Sequence, residues 1–175
     1  MQDLIINYTS RYPEESATID HFQALLASAG NPYDRHHFVP GHITASCWLV
    51  DPTGTSVLFT HHRKLNRWLQ PGGHCDGDPD VLDAALREAD EETGLKDLET
   101  VSPEIFDLDI HPIPARKADP EHFHYDVRFA IRATGTLDYT VSGESHDLAW
   151  IPLTKLETYT TEPSILRMAQ KWHNR

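Results

Sequence analysis

Three glutamates, Glu88, Glu91 and Glu92, stand in the run Arg87-Glu88-Ala89-Asp90-Glu91-Glu92. In a helix, Glu88 and Glu92 would lie one above the other, with Glu91 about 60° further round and Arg87 one turn before Glu91. Carboxylates held this close repel one another unless a cation neutralises them. Their hard oxygen atoms suit Mg²⁺ or Mn²⁺, although the same run also fits a solvated acidic helix face. A second set is made of histidines. His122 and His124 are two apart in a strand-like stretch and so share a face, while His42 opens another such stretch and His74 follows a glycine pair. Neutral imidazoles gathered by a sheet and an adjoining turn suit Zn²⁺, Mn²⁺ or Fe²⁺ better than Mg²⁺. Backbone hydrogen bonding or stacking on a substrate is the plainer use for each of them alone.

The elements that must position these groups are legible from periodicity. Pro71-Gly72-Gly73 reads as a turn. Asp78 reads as the N-cap of a helix with Pro79 at its first position and Asp80 in its first turn. Val81, Leu82, Ala85, Leu86 and Ala89 gather on one arc of that helix, which ends at Thr93-Gly94. Residues 42–50 form a strand, a turn at 51–54 follows, and 57–60 return antiparallel as its hairpin partner. Trp68-Leu69-Gln70 leads into the glycine turn. Further strands cover 105–110, ended by His111-Pro112-Ile113-Pro114, then 122–131 and 148–151, before a closing helix near 164–172. Residues 1–30 read as one or two helices broken at Pro13–Ser16, either packed on the core as an extension or reaching out as a dimerisation arm.

The chain has 175 residues, which favours a single domain, with an N-terminal helical extension over 1–38 and a core over 39–175. A net charge of −12 disfavours a nucleic-acid groove but leaves room for a small anionic substrate, because bound cations reverse the local field. No apolar run approaches a membrane span and no secretory leader opens the chain. Two cysteines, Cys47 and Cys75, are too few for a disulfide framework and suit a reducing cytoplasm.

The stretch from Gly73 to Leu95 resembles the signature of the Nudix hydrolases, G-x5-E-x7-R-E-U-x-E-E-x-G-U, with U a bulky apolar residue. Gly73, Arg87, Glu88, Glu91, Glu92, Gly94 and Leu95 match at the right spacing, Ala89 is a small stand-in for U, and Pro79 stands where the pattern has glutamate. The resemblance implies an α/β fold, an α/β/α sandwich with a mixed sheet. It also implies divalent-metal hydrolysis of a nucleoside diphosphate linked to another group. By that resemblance, Mg²⁺ or Mn²⁺ is held by Glu88, Glu92, Glu91 and the Gly72 carbonyl, and Arg87 orients a glutamate. The general base comes from Glu91, Glu88 or Glu144, the last on a loop where several relatives carry an extra carboxylate. In the family the missing glutamate mostly braces the arginine, a task open to Asp78 or Asp80 here. Homodimers are common among relatives.

Two rival readings remain. Isopentenyl diphosphate isomerases share the fold and hold a metal with histidines and glutamates. His42 and His74 resemble two of those histidines, and His122-x-His124 would replace an acid pair. Their cysteine, however, precedes the glycine-histidine pair whereas Cys75 follows it, and their helix is degenerate where this one is intact. A non-catalytic nucleotide-binding module would be expected to have lost helix glutamates, and none is missing. Since Pro79 is assigned to helix initiation and bracing, Pro79→Glu is expected to leave steady-state turnover within about a few-fold. A gain above roughly a hundredfold would mean that the signature is damaged.

Overall fold

All ten residues of strand β1 (Gly41–Val50) are buried, so the strand is covered on both faces. The computed structural model describes residues 1–175. Ile43, Ala45, Cys47 and Leu49 of β1 share one core with Ala84, Ala85 and Ala89 of helix α3 (Val81–Thr93). Trp48 and Val50 point the other way, into a second core with Ile165 and Met168 of helix α4 (Pro163–His173). Helices therefore cover both sides of one mixed sheet, the layering implied by the family resemblance. No helix is long and apolar enough to cross a membrane.

The sheet is antiparallel except at its centre, where β7 (His122–Ala133) runs parallel to β1 from Gly41↔Phe123 to Val50↔Arg132. The far edge of β7 is shared by β6 (Asp107–Ile113) and β5 (Leu98–Thr100). On the other side, β2 (Ser56–His62) meets β1 at Val50↔Val57 and then diverges to pair with β3 (Arg67–Leu69) and β8 (Ser145–Pro152). The hairpin expected from the sequence is thus closed at its turn and open at its mouth. The short strand β4 (Gly72–His74) fills that mouth, pairing Thr44↔His74, Ala45↔Gly73 and Ser46↔Gly72.

Several boundaries differ from the sequence reading. Pro71-Gly72-Gly73 is not a turn: the two glycines are strand residues, required because of close approach. A β-carbon on Gly72 would run into Ser46, and one on Gly73 into the Glu88 carboxylate. The N-cap of α3 is Asp80, whose carboxylate accepts the Asp83 N–H at 3.1 Å. Asp78 instead accepts the Asp80 N–H at 2.9 Å, so it closes the turn before the helix. β6 continues through His111-Pro112-Ile113, because Pro112 lies on an edge strand where its missing N–H costs no ladder bond. The three-residue β5 is too short to show a period in the sequence. Gly94 ends α3 in the left-handed conformation, φ 74°, as a glycine after the helix should.

Helices α1 (Gln2–Arg11) and α2 (Ser16–Leu26) flank a 3₁₀ turn at Pro13–Glu15. Ile19, Phe22 and Leu25 join the same core as α3, and Phe22 meets Tyr125 edge-on at 5.3 Å. The extension thus packs on its own chain.

Towards the N-terminal end of β1, the face beneath α4 turns polar. Arg128, 2% exposed, reaches Asp126 at 2.7 Å and Asp107 and Asp109 at 3.2 Å each. Arg167 and Lys171 of α4 add their charges to Asp107 at 2.8 and 2.7 Å, and Lys171 also reaches Glu15 at 2.6 Å. Burial would raise the carboxyl pKa of Asp109, but the His111 hydrogen bond, Arg128 and Arg167 win and hold it at about 2. Removing one member of such a network strands the others in a dry site. Arg128→Met is therefore expected to lower unfolding stability by about 3–5 kcal/mol in urea denaturation, whereas Arg67→Met, whose partner Glu162 is an exposed contact at 3.3 Å, should cost under about 1 kcal/mol.

Candidate active site

Strand β4 carries the local geometry. Because Gly73 has no side chain, the Glu88 carboxylate lies directly against the strand. Arg87 ties the two together: its guanidinium donates to Glu88 Oε1 at 2.7 Å and to the His74 carbonyl at 2.9 Å. Glu91 Oε2 lies 3.8 Å from the same guanidinium. Bracing of Arg87 thus falls to Glu88, Glu91 and a backbone carbonyl, and not to Asp78 or Asp80.

Glu92 is the most perturbed acid of the helix. It is 9% exposed, and its Oε2 has no hydrogen-bond partner. Burial, followed by repulsion from Glu88, pushes its carboxyl up to about 8, and the Gly72 backbone N–H offsets only part of that rise. Glu88 is raised too, mainly by burial, even though Arg87 pulls it down. A buried carboxylate without a partner is costly as an anion. Glu88, Glu92 and the β4 backbone therefore have the composition and the electrostatic need of a divalent cation site. Glu91 is 62% exposed at its side chain and turns outwards. Glu144 is exposed on the loop before β8, and its charge raises the pKa of both Glu92 and His74.

The four histidines singled out in the sequence converge on the other side of the sheet. The His42 ring lies 5.2 Å from that of His74, 5.0 Å from His122 and 4.7 Å from His124, centre to centre. One nitrogen from each of His42, His74 and His124 falls within 4.8 Å of the others, the only such gathering of three or more potential ligands in the chain. Burial, aided by neighbouring imidazoles at His42 and His124 and by Arg35 at His74, brings His42 and His74 down to about 4 and His124 to about 2, so all three imidazoles are neutral. His111, expected from the sequence at a strand end, stands opposite His124 in the register, 5.5 Å between rings. Its strand alternation with Asp109 and Asp107 was the available signal. Gln70, whose sequence context carries no functional signal, donates to Ser46 Oγ at 3.4 Å and to Asp126 Oδ2 at 3.3 Å, linking the β3–β4 junction to the buried charge layer.

A family model described as the NUDIX domain matches residues 40–171. Among curated proteins no sequence matches. Solved structures of similar fold include a C. elegans Ap4A hydrolase binary complex, 17% identical, covering 75% of this chain and 95% of that one with a TM-score of 0.61. The E. coli dihydroneopterin triphosphate pyrophosphohydrolase is 15% identical over 76% and 96% of the two chains, TM-score 0.59. The M. smegmatis Nudix hydrolase RenU is 19% identical over 76% and 84%, TM-score 0.57.

The raised pKa of Glu92 has a stability consequence in metal-free protein. Between its unfolded value of 4.5 and its folded value of about 8, the unfolded chain gives up the proton first, so stability falls as pH rises across that window. The depressed histidines act oppositely, losing stability as pH falls below 6.5, so the comparison must be with a variant. In calorimetry with chelator, Glu92→Gln is expected to melt about 5 °C or more above wild type near pH 8 and to differ little near pH 4.5. Equal melting curves at both pH values would contradict the orphaned, buried carboxylate.

Proposed function

The chain belongs to the NUDIX domain family, and from that premise we propose that it is a hydrolase cleaving the pyrophosphate bond of a nucleoside diphosphate linked to another moiety. The observation that carries this reading is the unpartnered, buried Glu92 beside Glu88, held against a strand of two glycines. We further take residues 1–175 as one domain, the 1–38 extension serving the 39–175 core.

Glu88 and Glu92 would hold Mg²⁺ or Mn²⁺, with the Gly72 carbonyl as a further oxygen ligand. When bound, such a cation neutralises phosphate charge and acidifies the attacking water. Arg87 is a positioning residue: through its bonds to Glu88 and the His74 carbonyl it fixes α3 against β4. The proton of the attacking water goes to a carboxylate, for which the solvent-exposed Glu91 and Glu144 are the two candidates. Water attacks one phosphorus, the bridging P–O bond breaks, and two phosphate esters leave.

The isomerase-like reading is favoured by one observation, the convergence of His42, His74, His122 and His124. Against it, the intact acid cluster would be idle, and burial pushes the Cys75 thiol up to about 12, far from a reactive thiolate.

A chromatographic screen for phosphomonoester products, with Mg²⁺ over nucleoside diphosphate sugars, dinucleoside polyphosphates, nucleoside triphosphates and ADP-ribose, tests the proposal. Glu88→Gln and Glu92→Gln are each expected to keep the fold by circular dichroism and lose at least about a hundredfold in turnover. Near wild-type turnover in both at saturating Mg²⁺ would overturn it. Glu91→Gln and Glu144→Gln then identify the base, because loss of the base flattens the acid limb of the pH–rate profile. An isoprenoid diphosphate converted to its double-bond isomer without phosphate release would establish the isomerase reading instead.

A further inference from the structure

His42 is 1% exposed, and neither of its ring nitrogens has a hydrogen-bond partner. The His37 backbone lies close enough to nudge its pKa upwards but not in hydrogen-bonding geometry. Burying an imidazole with both nitrogens idle sacrifices two hydrogen bonds to water, and nothing in β1 requires a histidine there. Other histidines of the chain do find partners: His37 bonds to the Gly41 and Ala29 carbonyls at 2.6 and 3.0 Å, and His111 to Asp109 at 3.2 Å. His42 is surrounded instead by the rings of His74, His122 and His124.

The strands explain the gathering. In the register, His42 stands beside His124 across the parallel β1–β7 pair, and His74 is opposite Thr44 across the β1–β4 pair. All three side chains therefore emerge on one face of three adjacent strands. Gly73, next to His74, faces the other way, towards Glu88. The sheet thus separates the imidazoles from the acids.

We propose that His42, His74 and His124 bind a divalent transition metal of the Zn²⁺ class, with His122 closing the fourth position, at a site distinct from the glutamates. The donor set is purely nitrogen, which suits Zn²⁺ and its neighbours and repels Mg²⁺. A tetrahedral zinc with bonds of about 2.0–2.1 Å needs ligand nitrogens about 3.3 Å apart. The three nitrogens, within 4.8 Å of one another, reach that by small ring rotations. The orientation of His122 is already fixed, because its Nδ1–H donates to the Pro120 carbonyl at 2.8 Å and leaves Nε2 with its lone pair free.

The site has a structural task. β4 is three residues long and is held to β1 over three residue pairs, yet it carries both Gly73 and the carbonyl that anchors Arg87. A metal bridging His74 to β1 and β7 pins the end of this strand and so fixes the spacing between sheet and α3. This inference is independent of the hydrolase reading, since the acids are not among its ligands.

Tag-free protein purified and dialysed extensively against Mg²⁺ buffer is expected to hold about one zinc per chain by elemental analysis, and chelator-stripped protein to regain at least about 5 °C in melting temperature on adding stoichiometric Zn²⁺. His124→Ala and the milder His74→Gln should lose the zinc and the shift. Glu92→Gln should keep both, which separates this site from the acidic one. Should the histidine variants misfold, Co²⁺ added to stripped wild type provides the check, because four nitrogen ligands give the intense visible bands of tetrahedral cobalt. Wild type with less than about a tenth of a metal per chain, no Zn²⁺-dependent shift and no cobalt bands would overturn the proposal. So would zinc lost from Glu92→Gln and retained by His124→Ala.

Discussion

Every residue of β1 is buried, so both of its edges and both of its faces must be satisfied by protein. Much of the structure is a consequence. One edge is matched by the long parallel pairing with β7. The other edge cannot be matched by β2, which leaves after Val57 to build the outer sheet with β3 and β8. β4 must therefore enter the gap, and it can do so only where side chains are absent, which is why two glycines stand there. The same insertion delivers the strand against which Glu88 rests. The backbone requirement of one buried strand thereby sets the position of the acidic helix.

The faces of β1 solve the problem of burial differently. Odd positions are apolar and take α3 through alanines, which bring the helix close enough for Glu88 and Glu92 to reach the strand. Even positions pass from Trp48 and Val50 through Ser46 and Thr44, both bound to Asp126, to His42. Along this face the environment changes from apolar, to a layer of paired charges around Arg128, to a group of neutral imidazoles. The charge layer is self-compensated through arginine and lysine, and it fastens α4 and the N-terminal helices to the sheet through Lys171. Neither Glu92 nor His42 is compensated in this way. Unsatisfied buried polar atoms are rare in folded proteins, and here they occur on both sides of the same short strand.

Arg87 shows how the two sides are coupled. A single guanidinium bonds a helix carboxylate and the carbonyl of His74, whose imidazole points to the opposite face. Movement of β4 would shift both sets of groups at once. The departure of Pro79 from the family pattern is absorbed by this arrangement, because Glu88, Glu91 and the carbonyl brace the arginine without a residue at position 79.

The sequence alone determined the elements whose signal is local. The acid spacing on α3, its glycine end, the long strands near 42–50 and 122–131, the last helix and the helical character of the N-terminal segment all follow from periodicity and turn chemistry, because each is stabilised by residues near in the chain. Motif spacing was likewise enough for the family, since seven signature positions match along one continuous stretch. Tertiary structure decided what depends on neighbours distant in sequence. Gly72 and Gly73 have the composition of a turn, and only the open mouth of the β1–β2 hairpin makes them a strand. Pro112 reads as a strand end, and only its place on an edge permits the strand to continue. Which glutamate is buried and which is exposed was set by the packing of α3 on β1, as Glu92 and Glu91 are adjacent in sequence and differ in environment. The meeting of His42, His74 and His124 required the parallel register of β1 with β7 together with the insertion of β4, two pairings between segments about 30 to 80 residues apart, and neither register is encoded in any local pattern.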